Sequence, residues 1–402
     1  VLQRHLGALL GADPSPVLTL VGPRQSGKTT LARATFPGHA YVSLEPPDQR
    51  ALALADPRGF LAAFGGRDLI LDEVQRAPEL LSYVQERVDA EAHDRAAPRR
   101  AARFVLTGSQ NLLLLSAVSQ TLAGRTSVHH LLPLSVAELA GRPPVDPLAL
   151  DRLPAAPAPA VPFERWDLVF RGLYPRVHDE ARDPTRWYAD YYRTYVERDL
   201  RDVLRVMDLH LFDRFVRAVA ATTGQELVLS PIASDAGISL PTAKSWFGAL
   251  ELGFVVTRLP SHHQSYRRRL RKHPKVHFLD TGLACYLLGI RSAEQLAHHP
   301  LRGALFESFV VAEIRKAFEH AGRDAPLSFW RDASGREVDL LIDAGDRVIP
   351  VEIKSGLTVA PDAFDGLRAW NAVSGQRSGV LVHGGESTLA QRELVARPWH
   401  LG

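Results

Sequence analysis

The ten residues VGPRQSGKTT at 21–30 constrain this chain more than any other stretch. They continue a short, mostly apolar run at 17–21 (VLTLV) that reads as a buried strand, and Gly22, Gly27, Lys28 and Thr29 satisfy G-x-x-x-x-G-K-[ST] without a mismatch. This is a P-loop. Its glycines let the backbone turn tightly, so that successive N–H groups and the N-terminus of the following helix (29–35) face a polyphosphate. Gly22, Pro23, Arg24, Gln25, Ser26, Gly27, Lys28, Thr29 and Thr30 are therefore expected to cradle ATP. Lys28 would reach the β- and γ-phosphates and the Thr29 hydroxyl would ligate Mg²⁺. The competing reading is a strand-to-helix turn with a chance lysine.

A second strand gives the motif its context. Residues 67–73 (RDLILDE) carry an apolar run ending in two acids, the pattern of a buried parallel strand with Asp72 and Glu73 at its C-terminal tip. Beside a P-loop, Asp72 would hold the Mg²⁺ shell and Glu73 would orient or deprotonate the attacking water. Acids commonly end strands, but at about forty to fifty residues after a P-loop the pair reads as Walker B. A further strand at 103–109 (RFVLTGS) ends in Thr107, Ser109, Gln110 and Asn111, a polar tip that either senses the γ-phosphate or simply forms a turn. Arg125, in TLAGR, is either an arginine finger or the partner of a surface acid.

Strands alternate with helices through residue 140, which predicts a parallel sheet with helices on both faces. The order of P-loop, Walker B, sensor strand and trailing arginine resembles the AAA+ ATPases. At 402 residues, two or three domains are expected. Residues 141–162 are rich in Pro and Ala and mark a boundary. The expected organisation is an ATPase domain at 1–140, a linker at 141–165, a helical lid and winged helix at 166–290, and a third α/β domain at 291–402.

Composition narrows the setting. A net charge of +3 with pI ≈ 9.0 is only mildly basic, so a nucleic-acid surface must be a local patch. Cys285 is the single cysteine and has no intrachain partner, which points to a reducing compartment. No apolar run has the length of a membrane span, and the first residues, VLQRHLGALLGADPS, lack a basic segment before a long apolar core. A cytoplasmic protein without a membrane partner is expected. Only six of the 48 basic residues are lysines, at 28, 244, 272, 275, 316 and 354, so where lysine persists its compact ammonium is expected to matter.

In the middle of the chain, residues 186–203 place Trp187, Tyr191, Tyr195 and Leu200 near one helical face, a stripe that reads as core packing. Arg198 is a candidate second sensor of the nucleotide. Helices at 209–222, 231–235 and 240–250, with a turn at 236–239, have helix-turn-helix spacing, and 254–259 can pair with 276–279 as a wing. The second helix would then present Thr242, Lys244 and Ser245 to DNA, and Arg267, Arg268, Arg269, Arg271, Lys272 and Lys275 would grip phosphate. A winged helix that packs against protein is the alternative.

The last third reads as a second site. A helix at 305–317 carries Glu307, a strand at 337–342 (EVDLLI) carries Asp339, and 348–354 (VIPVEIK) folds back as a hairpin with Glu352 and Lys354 on one face. Asp339 and Glu352, assisted by Glu307, would bind Mg²⁺, and Lys354 would stabilise or deprotonate a nucleophilic water. The alternative is a charged, exposed hairpin edge. The arrangement resembles the PD-(D/E)xK, or restriction-endonuclease-like, fold.

Together GPRQSGKTT, ILDEVQRAP, LTGSQ, LAGR, YVERD, PKVHFLDTGLACYLLG, LFESFV, REVDLLI and VEIK resemble a bacterial and archaeal family of AAA+ ATPases with a C-terminal domain of that kind. The resemblance implies ATP binding, a winged-helix middle and a nuclease-like end. The expectation is an oligomeric, ATP-hydrolysing protein acting on DNA. A regulatory or defence-type ATP switch that binds without cutting is the other reading.

Overall fold

The computed structural model describes residues 2–92, 103–108, 118, 120–154, 160–180, 182–196, 208–262 and 273–401. Ser109, Gln110, Asn111, Arg198, Leu200, Arg267, Arg268, Arg269, Arg271 and Lys272 lie outside the described residues. Two compact units result: Val1–Pro133 with Glu319–Gly322, and Leu134–Phe318 with Arg323–Gly402. Among the described residues no helix is long and apolar enough to cross a membrane.

The first unit is built on five parallel strands, β1 (Val17–Val21), β2 (Ala40–Ser43), β3 (Leu69–Asp72), β4 (Phe104–Thr107) and β5 (Thr126–His130), in the order β2-β3-β4-β1-β5. Every residue of β1, β3 and β4 is buried, as continuous Val, Leu and Ile runs require when helices cover both faces. The edge strands β2 and β5 are only partly buried. Register sets Leu20, Thr107, Asp72 and Ser43 in one row across β1, β4, β3 and β2. All these strands point the same way, so their C-terminal tips share one rim with the P-loop.

The second unit combines the middle and last thirds of the chain. Helices Leu209–Ala221, Leu229–Ala236 and Leu240–Leu252 pack with a three-stranded antiparallel sheet of β6 (Gln225–Glu226), β8 (Lys275–Phe278) and β7 (Val256–Leu259). The first helix buries Phe212 and Phe215 edge-on against Trp246 of the third. Ser239 caps the third helix by accepting from Thr242 N–H. The aromatic stripe is core: Trp187 stacks on Tyr191 with ring centroids 5.0 Å apart, and both are buried. Among the described residues, regular α-helix there runs Pro184–Tyr191, and the rest of the predicted helix beyond residue 196 lies outside them. A π-helical turn at Tyr192–Val196 follows, and it brings Tyr192 as well as Tyr191 into the core.

A six-stranded mixed sheet completes this unit, with β9 (Leu327–Arg331), β10 (Glu337–Asp343), β11 (Val348–Lys354), β12 (Gly379–His383), β13 (Leu389–Gln391) and β14 (Leu394–Pro398) in the order β13-β14-β12-β11-β10-β9. The β10–β11 hairpin is antiparallel, as the sequence predicts, whereas β11, β12 and β14 run parallel. Residues 260–262 run alongside β9: Phe329 N–H donates to Pro260 O at 2.9 Å and His262 N–H to Phe329 O at 2.6 Å. That pairing brings the wing strands up to the acidic face of β10.

Candidate functional site

In the first unit the P-loop leaves β1 through Gly22, whose φ of 150° and close approach to β5 admit no side chain. A Cβ there would stand 2.2 Å from the Leu131 carbonyl oxygen. Gly27, at φ 94°, then starts the helix Lys28–Thr35. The Lys28 ammonium is buried and donates to Gly22 O at 2.9 Å and Pro23 O at 2.8 Å, which holds it over the loop. Arg4 braces the loop from outside, donating to Ser26 O and to Leu132 O, each at 2.7 Å. Nothing local to Arg4 marks it for this role.

Asp72 is the hub of this rim. Its Oδ1 accepts from Thr29 Oγ1 at 3.0 Å and from Thr107 Oγ1, and its Oδ2 accepts from the Tyr41 hydroxyl at 2.8 Å. Tyr41 lies on β2 two residues before Ser43, the partner of Asp72, and so reaches it diagonally along one face. Burial and the Asp72 carboxylate push the Tyr41 phenol up to about 12, so it remains a donor. Arg33 lies over the Tyr41 ring at 4.9 Å. Glu73 follows in a left-handed conformation, φ 57°, and accepts from Gln75 Nε2. Tyr41, Gln75 and Arg4 escape sequence reading because their partners are distant in the chain or defined by a turn.

The residues present suit a magnesium nucleotide. Ser26 Oγ is buried without a hydrogen-bond partner among the described residues, and the loop adds a lysine, a helix N-terminus and a hydroxyl–carboxylate pair. Arg125 is engaged on Asp89, Nε to Oδ1 at 2.6 Å and Nη2 to Oδ2 at 3.0 Å, the surface-acid alternative raised above.

In the second unit, Lys244 is exposed on the helix Leu240–Leu252, while the Thr242 hydroxyl is taken up by Ser239. Lys275 departs from expectation. Rather than extending a basic wing, it points inward from β8, 4% exposed, and ends among acids. Its Nζ donates to Glu307 Oε1 at 2.8 Å, contacts Glu337 Oε1, and lies 3.8 Å from Asp339 Oδ1. Burial opposes that charge, but Glu307, Asp339 and Glu337 outweigh it and hold the ammonium above its ordinary pKa.

The expected trio of Glu307, Asp339 and Glu352 is close but not gathered on one point. Asp339 Oδ2 accepts from Ile353 N–H at 2.8 Å, Glu352 Oε1 accepts from Lys354 Nζ at 2.6 Å, and Glu307 faces Lys275. Among the described residues no three His, Cys, Asp or Glu side chains are disposed to hold a metal ion. Ammonium groups take the positions between the acids. Burial, then the Asp339 charge, raises the pKa of Glu307 and Glu352, and burial raises that of Asp339. Gly366 allows the next helix, Asp365–Ser374, to close over the cluster: a Cβ there would meet Glu337 O at 2.3 Å and Glu352 Oε2 at 2.7 Å.

The motif LDTG proves to be structural. Asp280, buried, accepts from Leu173 N–H at 2.8 Å, from Leu283 N–H at 3.1 Å and from the Tyr188 hydroxyl at 2.5 Å. It thereby caps the helix Thr281–Leu287 and ties to it the helix that carries Tyr188 and the turn at Leu173.

Residues 14–140 match an AAA domain, residues 163–294 a domain of unknown function (DUF8612), and residues 302–401 another (DUF4143). Over 344 residues the chain is 30% identical to the uncharacterized proteins Rv2008c of Mycobacterium tuberculosis and Mb2031c of Mycobacterium bovis, spanning 85% of this chain and 70% of each relative. Among solved structures it is similar to the Walker-type ATPase paby2304 of Pyrococcus abyssi, at 14% identity and a TM-score of 0.38, over 71% of this chain and 96% of that one.

Proposed function

We propose that this chain, which with its AAA domain and two domains of unknown function belongs to one family with the uncharacterized protein Rv2008c, hydrolyses ATP and couples turnover to DNA. The observation that carries the ATPase reading is the convergence of Thr29, Thr107 and Tyr41 on Asp72 at the rim of the P-loop. ATP and Mg²⁺, when bound, supply the reactive phosphoanhydride and a Lewis acid. Lys28 and the loop backbone would hold the phosphates and Thr29 and Asp72 the metal, while Thr107 and Tyr41 fix the direction of the carboxylate. Glu73, steadied by Gln75, receives the proton of the attacking water or orients it. Arg125 would serve a neighbouring copy's nucleotide on release from Asp89, which makes a homo-oligomer part of this reading.

DNA would contact Lys244 and the basic residues Arg267, Arg268, Arg269, Arg271 and Lys272, and the C-terminal acids would provide a metal-dependent nuclease site. A second reading, an ATP switch whose C-terminal domain binds without cutting, is favoured by the ammonium groups held among those acids. One assay separates them: purified protein on duplex, forked, four-way and single-stranded DNA, with and without ATP and with Mg²⁺ or Mn²⁺. Nucleotide turnover stimulated by one DNA form together with strand cleavage supports the first reading. Turnover without cleavage supports the second, and absence of turnover overturns both.

A further inference from the structure

We propose that Lys275 is a plug carried by the wing: its ammonium stands where a divalent cation belongs in the C-terminal acidic cluster, and metal binding by Glu307, Asp339 and Glu352 excludes it. This rests on the nuclease-like reading of the C-terminal sheet, and it concerns what holds that site closed.

A lysine head normally stays in water, because burying an unpaired ammonium is strongly unfavourable. Lys275 is buried and meets acids from two elements, Glu307 on the helix Arg302–Glu319 and Glu337 and Asp339 on β10, with the Phe329 ring 5.6 Å away. In a chain whose cationic positions are nearly all arginine, lysine persists here. A compact point charge resembles a small metal ion more closely than a planar guanidinium does.

The cluster has ligand capacity that the ammonium leaves unused. Glu352 Oε2 is buried with no hydrogen-bond partner among the described residues. His277, two residues from Lys275 on β8 and fully buried, gives its Nδ1 to Ser308 Oγ at 3.0 Å. Its Nε2 has no hydrogen-bond partner among the described residues and lies 3.9 Å from Glu307 Oε1. An ammonium offers three donors, whereas a hard divalent ion gathers about six ligands, mostly oxygens. Two buried side-chain atoms without partners among the described residues, Glu352 Oε2 and His277 Nε2, are what such an ion would use. Four carboxylates here, Glu307, Glu337, Asp339 and Glu352, face three cations, Lys275, Lys354 and the Arg331 guanidinium on Glu337. Lys275 arrives from β8, the central strand of the three-stranded sheet, and the acids from other elements, so swinging its side chain out leaves the acids in place.

The test is Mn²⁺ binding by the nucleotide-free full chain, followed by electron paramagnetic resonance of the free ion. Lys275→Met is expected to bind one more Mn²⁺ per chain than the wild type at about 100 μM, with affinity raised about tenfold or more. Lys275→Arg is expected to bind no additional ion. The gain should vanish in Lys275→Met/Asp339→Asn, which assigns it to the cluster rather than to the P-loop. Removing a buried counter-charge destabilises the fold, so Lys275→Gln/Glu337→Gln, which removes one charge of each sign, is measured in parallel and should gain the same ion. Wild-type binding at the cluster with the variants' affinity overturns the plug, and so does a folded double variant that gains nothing. Cleavage is not the readout, so a protein that cuts no DNA leaves this result intact.

Discussion

The hydroxyl of Tyr41 donates to Asp72 Oδ2 at 2.8 Å, while Thr29 and Thr107 take the other oxygen. A carboxylate held on both oxygens cannot rotate away from the metal it is to bind, and the phenol is the one of its three donors that lies on an edge strand. Partners behind metal-binding groups typically contribute about 10–100-fold to metal affinity or activity. Tyr41→Phe is therefore expected to raise the Mg²⁺ concentration needed for half-maximal ATP turnover by about tenfold, with little change in nucleotide affinity. A Mg²⁺ titration at saturating ATP checks this, and an unchanged midpoint means the two threonines suffice.

Lys28 and Glu73 should separate binding from chemistry. In the proposed mechanism Lys28 would reach phosphate in the ground state, so Lys28→Ala is expected to abolish most binding of a fluorescent ATP analogue. Glu73→Gln should retain binding and lose about 100-fold or more in turnover, because it acts only on water. Gln75→Leu removes the donor that steadies Glu73 and is expected to fall between, near about tenfold. Normal turnover in Glu73→Gln would point to another base.

How much of this was legible follows from distance along the chain. The P-loop and Asp72–Glu73 announce themselves because their chemistry lies within ten contiguous residues and at one strand tip. The β10–β11 hairpin is readable because a period of two sets Glu352 and Lys354 on one face. Tyr41, Arg4 and Lys275 are not, since each acts on a residue more than twenty positions away, across a strand or loop that only the fold supplies. One signal did reach Lys275. It is among six lysines in an arginine-rich chain, and Lys28, Lys275, Lys316 and Lys354 all meet specific oxygens.

Arg125 tests assembly. If it completes a neighbour's site, specific ATPase activity should rise with protein concentration, and Asp89→Asn, which loosens its present bidentate partner, should shift that rise to lower concentration. Mixing Arg125→Ala with Lys28→Ala should then restore part of the activity at shared interfaces. Turnover that is independent of concentration, from a species shown to be monomeric by light scattering, assigns Arg125 to its ion pair alone.

Asp280 should matter to the fold and not to the chemistry of the first unit. Asp280→Ala leaves Leu173 N–H and Leu283 N–H without their buried acceptor, while the Tyr188 hydroxyl keeps Arg171 O, 3.0 Å away. Each such orphan costs about 1–3 kcal/mol, so a loss of about 3 kcal/mol or more is expected after relaxation. The measurement is the urea midpoint of the unfolding transition that reports the second unit. A midpoint unchanged from wild type would mean that water replaces the carboxylate, which its burial argues against.

Asp339 and Lys354 decide between cutting and switching. Asp339 contacts the β11 backbone at Ile353 and stands within 3.8 Å of Lys275, and Lys354 bonds Glu352 at 2.6 Å. A nuclease needs these acids on a divalent ion, because the ion organises the attacking water and the charge of the cleaved phosphodiester. Cleavage by the wild type is accordingly expected to require Mg²⁺ or Mn²⁺ and to be slow until Lys275 leaves. Asp339→Ala and Lys354→Ala should abolish it while ATP turnover at Lys28 continues. DNA binding by the same variants must be measured by fluorescence anisotropy, because a lysine that only holds phosphate would also lower cleavage by lowering occupancy. Lys354→Ala that binds DNA normally and does not cut assigns the lysine to the reaction. Lys275→Gln/Glu337→Gln adds the decisive arm. If withdrawing the plug opens a metal site and still yields no strand break on any of the four DNA forms, the C-terminal sheet is a binding element and the ATP switch is the reading that stands.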